Sequence, residues 1–207
     1  MLRLSNISAE RDERILFKGV SATLIGGDCQ YIIGPNGTGK TTLLRIICGL
    51  TSPLSGEIEW NGFSTRNFRE KYCQDLLYLG HKNANKAELS CYENLRINMG
   101  LEGVSISEDE IEAALEEAGL IRLAHMPARF LSQGQQRKLA MVKLSISRAK
   151  LWILDEPYSA LDTSAIHWLD QKIDNHLKTG GIAVITSHQP LSIKTQVKEL
   201  NLELYYA

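Results

Sequence analysis

Gly34-Pro35-Asn36-Gly37-Thr38-Gly39-Lys40-Thr41 fits the pattern Gly-x4-Gly-Lys-Thr. In such a loop, glycines let successive backbone N–H groups turn inward around phosphate oxygens. Lys40 would reach the β- and γ-phosphates, and the Thr41 hydroxyl would hold Mg²⁺. The flanks agree. Gln30-Tyr-Ile-Ile33 reads as a short buried strand, and residues 41–48 read as a helix that Gly49 ends. A helix N-terminus favours an anion. A glycine-rich turn before an ordinary helix is the plain alternative, and the strand–loop–helix order weighs against it.

Composition narrows the rest. The 207 residues suit one large domain or two small ones. Hydrophobic residues make up 43% and charged residues 23%, as in a soluble globular protein. A formal net charge of −1 argues against a dedicated nucleic-acid binder, which carries a basic face. Cys29, Cys48, Cys73 and Cys91 form no Cys-x-x-Cys pair, so neither a zinc site nor a redox motif is signalled. Unpatterned thiols suit a reducing compartment. No apolar run approaches the roughly 20 residues that span a bilayer, and the N-terminus lacks a signal peptide's apolar core. The expectation is a soluble, cytoplasmic chain whose membrane role, if any, comes through a partner.

Strand patterns occupy residues 2–7, 17–24, 56–60, 76–79, 151–154 and 182–186. Ser107-Glu-Asp-Glu110 is a capping box opening an acidic helix that stops at Gly119. Residues 95–118 therefore read as helical, followed by helices at 132–147 and 163–176. Strands alternating with helices indicate a mainly parallel sheet covered on both faces.

Leu151-Trp-Ile-Leu-Asp-Glu156 is an apolar strand ending in two carboxylates. Ligands sit beyond the C-terminal ends of strands in open α/β sheets. Asp155 is placed to reach a Mg²⁺ shell, and Glu156 to orient or deprotonate a water attacking a γ-phosphate. Leu131-Ser-Gln-Gly-Gln135 precedes a long helix, and Ser132-x-x-Gln135 is itself a capping box. That helix needs no ligand. Its N-terminal Ser132 hydroxyl, Gly134 N–H and dipole could equally face a phosphate.

Together these motifs resemble the ATP-binding cassette (ABC) nucleotide-binding domain over residues 2–191. Residues 34–42, from Gly34 to Thr42, are similar to its Walker A motif and residues 151–156 to its Walker B. Residues 131–135 resemble its signature, with Gln133 replacing the first glycine. Ser159-Ala-Leu-Asp162 matches the D-loop, and His188 falls where the switch histidine sits. The resemblance implies an α/β, P-loop NTPase fold of the ABC ATPase type. Such a fold has a RecA-like, mainly parallel core, an N-terminal antiparallel β part and an inserted helical subdomain. One domain of residues 1–207 would carry that subdomain at about residues 95–147. It also implies ATP and Mg²⁺ as cofactors and Glu156 and His188 as catalytic residues. Thr41 and Asp155 would be Mg²⁺ ligands. A second copy would pack head to tail, so that Ser132, Gln133, Gly134 and Gln135 act on the partner's nucleotide and Asp162 lines the seam.

Two positions depart from the family pattern. His81 stands at the Q-loop position, where Gln contacts Mg²⁺; neutral imidazole can ligate a metal, or His81 simply hydrogen-bonds in its loop. Arg11 stands where an aromatic stacks on adenine. Residues 10–14 read as a solvated turn, yet a guanidinium can stack on a flat ring, so Arg11 or Arg14 would substitute.

Within the family, the closest likeness is to the heme-exporter ATPases of cytochrome c maturation. It rests on Glu10-Arg-Asp-Glu-Arg14, Gly80-His81, Leu151-Trp-Ile-Leu-Asp-Glu-Pro157 and Ser187-His-Gln-Pro190. That likeness implies a peripheral subunit on the cytoplasmic face of the bacterial inner membrane. Its integral membrane partners would be of the CcmB, CcmC and CcmD kind. No nucleic acid and no heme bound directly to this chain are expected. The ATPase of a different exporter, a soluble cassette acting on ribosomes or DNA, and a non-hydrolysing binding module share parts of the pattern. Intact Lys40, Asp155, Glu156 and His188 argue against the last.

Overall fold

Two short turns set the first sheet. Strands β1 (Leu2–Arg11) and β2 (Arg14–Leu24) pair antiparallel with Arg11 opposite Arg14. The joining residues, Asp12 and Glu13, lie at φ 51° and 62°. Positive φ at both central positions gives a turn whose twist matches that of the strands. The same device, Asn61-Gly62 at φ 52° and 82°, joins β4 (Ser55–Trp60) to β5 (Phe63–Ser64). The sheet order is β2-β1-β4-β5. Gly56 is required where β4 crosses the irregular middle of β1, because a Cβ there would sit 2.5 Å from the Ser5 and Asn6 carbonyl oxygens.

The hairpin is longer than the sequence pattern suggests. Pairing continues through Ala9↔Phe17 and Glu10↔Ile15, so residues 8–11 and 14–16 are strand, and of the turn expected at 10–14 only Asp12 and Glu13 are turn. Backbone pairing does not depend on side-chain polarity, and charged side chains are tolerated on its open face.

The second sheet has the order β6-β7-β8-β3-β9. Here β3 is Cys29–Ile33, β6 Leu76–Leu79, β7 Leu151–Asp155, β8 Ile182–Thr186 and β9 Val197–Asn201. Strand β3 runs parallel to both β8 and β9, and β7 parallel to β8. Every residue of β7 and β8 is buried, which explains their unbroken apolar runs. Helix α1 (Lys40–Ile47) turns Leu43, Leu44, Ile46 and Ile47 inward. Cys48 ends it, followed by Gly49 at φ 67°. Helix α2 is Arg69–Gln74.

The structure, a computed structural model, describes residues 1–206, which divide into two compact units. The first comprises Met1–Tyr78, Ala149–Pro157 and residues 173–206, the second Leu79–Arg148 and Tyr158–Lys172. In the first unit Phe17, Leu43, Ile153 and Val184 belong to one continuous core. The second contains α3 (Cys91–Leu101), α4 (Glu108–Glu117) and α5 (Gln133–Ile146) around Leu95, Ile111, Leu115 and Leu139. Each begins with a complete capping box: Ser90 with Glu93, Ser107 with Glu110, Ser132 with Gln135. Helix α3 starts at Cys91, four residues ahead of the sequence-based start at Leu95, because Ser90 and Glu93 fix its first turn. Helix α6 is Thr163–Lys178. Among the described residues, no helix is long and apolar enough to cross a membrane.

Candidate active site

Strand β3 delivers the chain directly into the glycine loop. Gly34, Gly37 and Gly39 all lie at positive φ. Gly39 ends the loop at φ 95°, where a Cβ would lie 3.0 Å from the Phe17 ring. The Thr38 hydroxyl donates to the Pro35 carbonyl at 2.9 Å. The Lys40 ammonium is buried and donates to the Gly34 carbonyl at 2.7 Å and the Pro35 carbonyl at 3.2 Å, inside the loop it belongs to. Gly39 N-caps α1 with no side-chain hydrogen bond. Helix geometry then leaves the first-turn N–H groups, those of residues 40–42, without intrahelical acceptors. A cation and unfilled donors at a helix start suit a phosphate chain.

Thr41 and Asp155 meet. The Thr41 hydroxyl donates to Asp155 Oδ2 at 3.0 Å and lies 3.2 Å from Oδ1. Asp155 is buried at the end of β7 and also accepts from the Thr186 hydroxyl of β8 at 2.8 Å. The next residue, Glu156, lies at φ 50°. A non-glycine residue in that region is strained and persists only where its surroundings hold it. Here its backbone N–H donates to the Thr186 carbonyl at 3.1 Å and hydroxyl at 3.0 Å. Its carboxylate accepts from the His188 backbone N–H at 3.1 Å, and Oε1 lies 3.6 Å from His188 Nε2. The His188 side chain is 60% exposed against 17% for Glu156. Thus Lys40, Thr41, Asp155, Glu156 and His188 all belong to the first unit, around the C-terminal ends of β7 and β8 and the loop after β3.

The signature and D-loop segments belong to the second unit. The Ser132 hydroxyl accepts from the Gln135 N–H at 3.2 Å, and Gln135 Oε1 accepts from the Ser132 N–H at 2.9 Å. Ser132 and Gln133 are exposed at the start of α5. Gly134 lies close to the D-loop: a Cβ on it would be 3.0 Å from the Ala160 carbonyl oxygen. Asp162 caps α6, accepting from the Ser164 hydroxyl at 2.7 Å and the Ala165 N–H at 2.8 Å, and pairs with Lys138 at 3.2 Å. The Ser164 hydroxyl, then the Ala165 N–H and Lys138, hold its carboxyl down at about 2.

His81 sits in an exposed turn. The buried Arg137 holds that turn, donating to the Gly80 carbonyl at 3.0 Å and to Asn83 Oδ1 at 3.1 Å. Nothing adjacent in the sequence marks Arg137 for this role, since its acceptors lie more than 50 residues away. Arg11 is exposed and pairs only with its neighbour Asp12 at 3.5 Å among the ion pairs of the described residues. Arg14 is anchored instead. Its Nη2 donates to the Tyr206 hydroxyl at 2.7 Å, and its guanidinium carbon lies 5.7 Å from the centre of that ring.

A family profile described as "ABC transporter" matches residues 17–159. An ABC transporter ATP-binding protein from Pyrococcus furiosus superposes with a TM-score of 0.86 at 29% identity, covering 100% of this chain and 99% of that one. The dimeric bacterial cassette MJ0796 shares the fold at a TM-score of 0.83 and 23% identity, over 98% of this chain and 95% of its own. The fold is that of an ABC ATPase cassette. In sequence the chain is similar to the cytochrome c biogenesis ATP-binding export protein CcmA of Dechloromonas aromatica. The two are 44% identical over 203 residues, 98% of this chain and 100% of the relative. The CcmA of Haemophilus ducreyi is 40% identical over 204 residues, 99% of this chain and 97% of the relative. This chain belongs to the ABC transporter family, in the branch of these cytochrome c biogenesis ATP-binding proteins.

Proposed function

We propose that this chain is the ATP-hydrolysing subunit of a membrane ABC transporter complex that serves cytochrome c biogenesis. It would couple ATP hydrolysis to heme export or to release of a heme chaperone. The hydrolytic half rests on one observation: Glu156 and His188 meet beside the Thr41–Asp155 pair, at the mouth of a glycine loop. The biological half rests on the likeness to CcmA along nearly the whole chain.

Residues 34–42 would cradle the phosphates, with Lys40 leaving its loop carbonyls for phosphate oxygens. Thr41 and Asp155 supply hard oxygen donors, and Mg²⁺ takes one or two such groups together with substrate phosphates. His81 would complete that shell from the Q-loop position. Once bound, the metal would neutralise charge building on the β- and γ-phosphates. Glu156 would take a proton from water as the water oxygen attacks phosphorus and the bond to the β-phosphate oxygen breaks. His188 would donate to the γ-phosphate as its charge spreads. Ser132, Gln133, Gly134 and Gln135 of a second copy would close over that phosphate, with Asp162 at the seam, so hydrolysis would await pairing. The two units would act as one nucleotide-binding domain of residues 1–207, with the helical part at about 95–147. For the base, Arg11 is the position matched to the family, but the anchoring of Arg14 on Tyr206 favours Arg14.

The partners would be integral membrane subunits of the CcmB kind, with CcmC-like and CcmD-like subunits beside them. They would hold this chain at the cytoplasmic face of the inner membrane. In the alternative reading the same machinery serves a different exporter.

Phosphate release by wild type and Glu156→Gln is the direct test. The variant should bind ATP and lose about 10²–10⁴-fold in rate, the usual contribution of a positioned general base. Unchanged turnover would overturn the hydrolytic assignment. Purification from membranes without any cytochrome c maturation subunit, but with another permease, would favour the alternative.

A further inference from the structure

The His188 loop is held by a residue that no nucleotide motif contains. Tyr31 lies in the middle of β3, opposite Ile185 of β8 and Glu199 of β9. Its hydroxyl is 2.9 Å from the Ser187 carbonyl oxygen and 3.1 Å from the Gln189 carbonyl oxygen. These carbonyls flank His188 on either side. A phenol carries one donor hydrogen, so the two share a forked bond. The peptide between them is also tied from the other direction, because the His188 N–H donates to Glu156 at 3.1 Å. The Gln189 N–H donates to the Ser187 hydroxyl at 2.9 Å, tightening the same bend. Farther along, Asp174 accepts from the N–H groups of Lys194 and Thr195 and from the Thr195 hydroxyl, at 3.0–3.1 Å, fixing the segment's far end.

We propose that Tyr31 is a positioning residue for hydrolysis: its hydroxyl clamps the carbonyls on both sides of His188 and so registers that imidazole with the phosphate loop that β3 feeds. The inference rests on the proposed role of His188. Tyr31 stands three residues before Gly34 on one strand. A shift of the loop on binding nucleotide is therefore passed to the His188 peptide through the phenol. Burial, then the carboxylates of Glu156 and Glu199, push the Tyr31 hydroxyl up from its ordinary range, so it remains a donor across neutral pH. Filling space is not its whole role. The ring carbons could do that alone, and the oxygen is where both contacts fall.

Tyr31→Phe removes only that oxygen. The test measures steady-state phosphate release by the full chain for wild type, Tyr31→Phe, His188→Ala and the double variant. ATP affinity is measured on each. The expected result is a fall of about tenfold in kcat for Tyr31→Phe, the scale of one lost hydrogen bond read in a rate. KM and ATP affinity stay unchanged. The double variant is expected to be no slower than His188→Ala alone, since residues acting as one unit are not additive. Hydrogen exchange should quicken at the amides of residues 188–189 and not in β8.

A His188→Ala variant at the wild-type rate would sink the reading of this centre. A damaged His188→Ala beside an unimpaired Tyr31→Phe would sink the clamp alone. So would a full tenfold loss when Tyr31→Phe is added to His188→Ala. A Tyr31→Phe chain that no longer folds or binds ATP would also overturn it, by showing that the hydroxyl supports the whole strand.

Discussion

Lowering the pH from 7 to 4 should destabilise the first unit through His176. That ring lies flat on Trp152, with centroids 3.9 Å apart and planes 5° from parallel. Its Nε2 is 3.1 Å from the Ile182 carbonyl oxygen, to which the neutral ring donates. Gly181 also packs against the ring: a Cβ there would be 2.3 Å from His176 Cε1 and Nε2. Burial lowers the imidazole from 6.5 to about 4, outweighing the Ile182 hydrogen bond, which favours the charged form. The folded chain therefore resists a proton that the unfolded chain accepts. This contribution is complete above about pH 6.5, is lost as pH falls toward 4, and is flat below that. At about 1.4 kcal/mol per unit, the shift is worth about 2–3 kcal/mol after allowance for the half-buried state of His176. Urea unfolding followed by Trp fluorescence between pH 4 and 8 measures it, with His176→Phe as the reference. Phe keeps the stack and cannot titrate. Its stability should be lower at pH 7, because the Ile182 carbonyl loses its donor. It should also be flatter with pH by about the same 2–3 kcal/mol. Equal slopes for the two proteins over that range would refute the reasoning.

Gly134→Ala should leave ATP affinity unchanged and slow phosphate release. The added carbon meets the Ala160 carbonyl at 3.0 Å and tilts the exposed start of α5 that a second copy would present; a fast variant would detach this helix from catalysis. Ser90→Ala should cost about 1 kcal/mol in a urea titration, since both halves of its box with Glu93 are made; no change would mean the first turn of α3 is held by packing alone. Arg14→Ala should weaken ATP more than triphosphate alone, and Arg11→Ala should do so less. The reverse order in a calorimetric titration would return the base to the family's position.

The local devices of this chain were legible because each is written in a few adjacent residues. The glycine loop, the carboxylate pair after residues 151–154 and the boxes at Ser107 and Ser132 all stand where the pattern put them. Strand β9 was not legible. Val197-Lys-Glu-Leu-Asn201 buries only Leu200, and what makes it a strand is backbone pairing to β3, far away in the chain. The Ser90–Glu93 box was equally plain in composition, yet it lies after loop-like residues and was not read as a helix start. In the sequence Tyr31 is one more residue of the short buried run 30–33. Its use depends on where the chain returns after β8, and spacing along one strand cannot carry that. Arg137 was missed for the same reason: its acceptors, near residues 80–83, are distant in sequence.

The placing of β3 between β8 and β9 also governs how this protein is made. The strand that launches the glycine loop is synthesised early, and both of its neighbours come from residues 182–201. On the ribosome, then, both edges of this strand stay open while residues 34–181 emerge. Pairings of such long separation form slowly and leave nascent chains prone to sticking. Ligand capture during translation would then await residues 182–186, the first to pair with β3. Emergence of residues 182–201, rather than of the glycine loop, would time the first nucleotide bound.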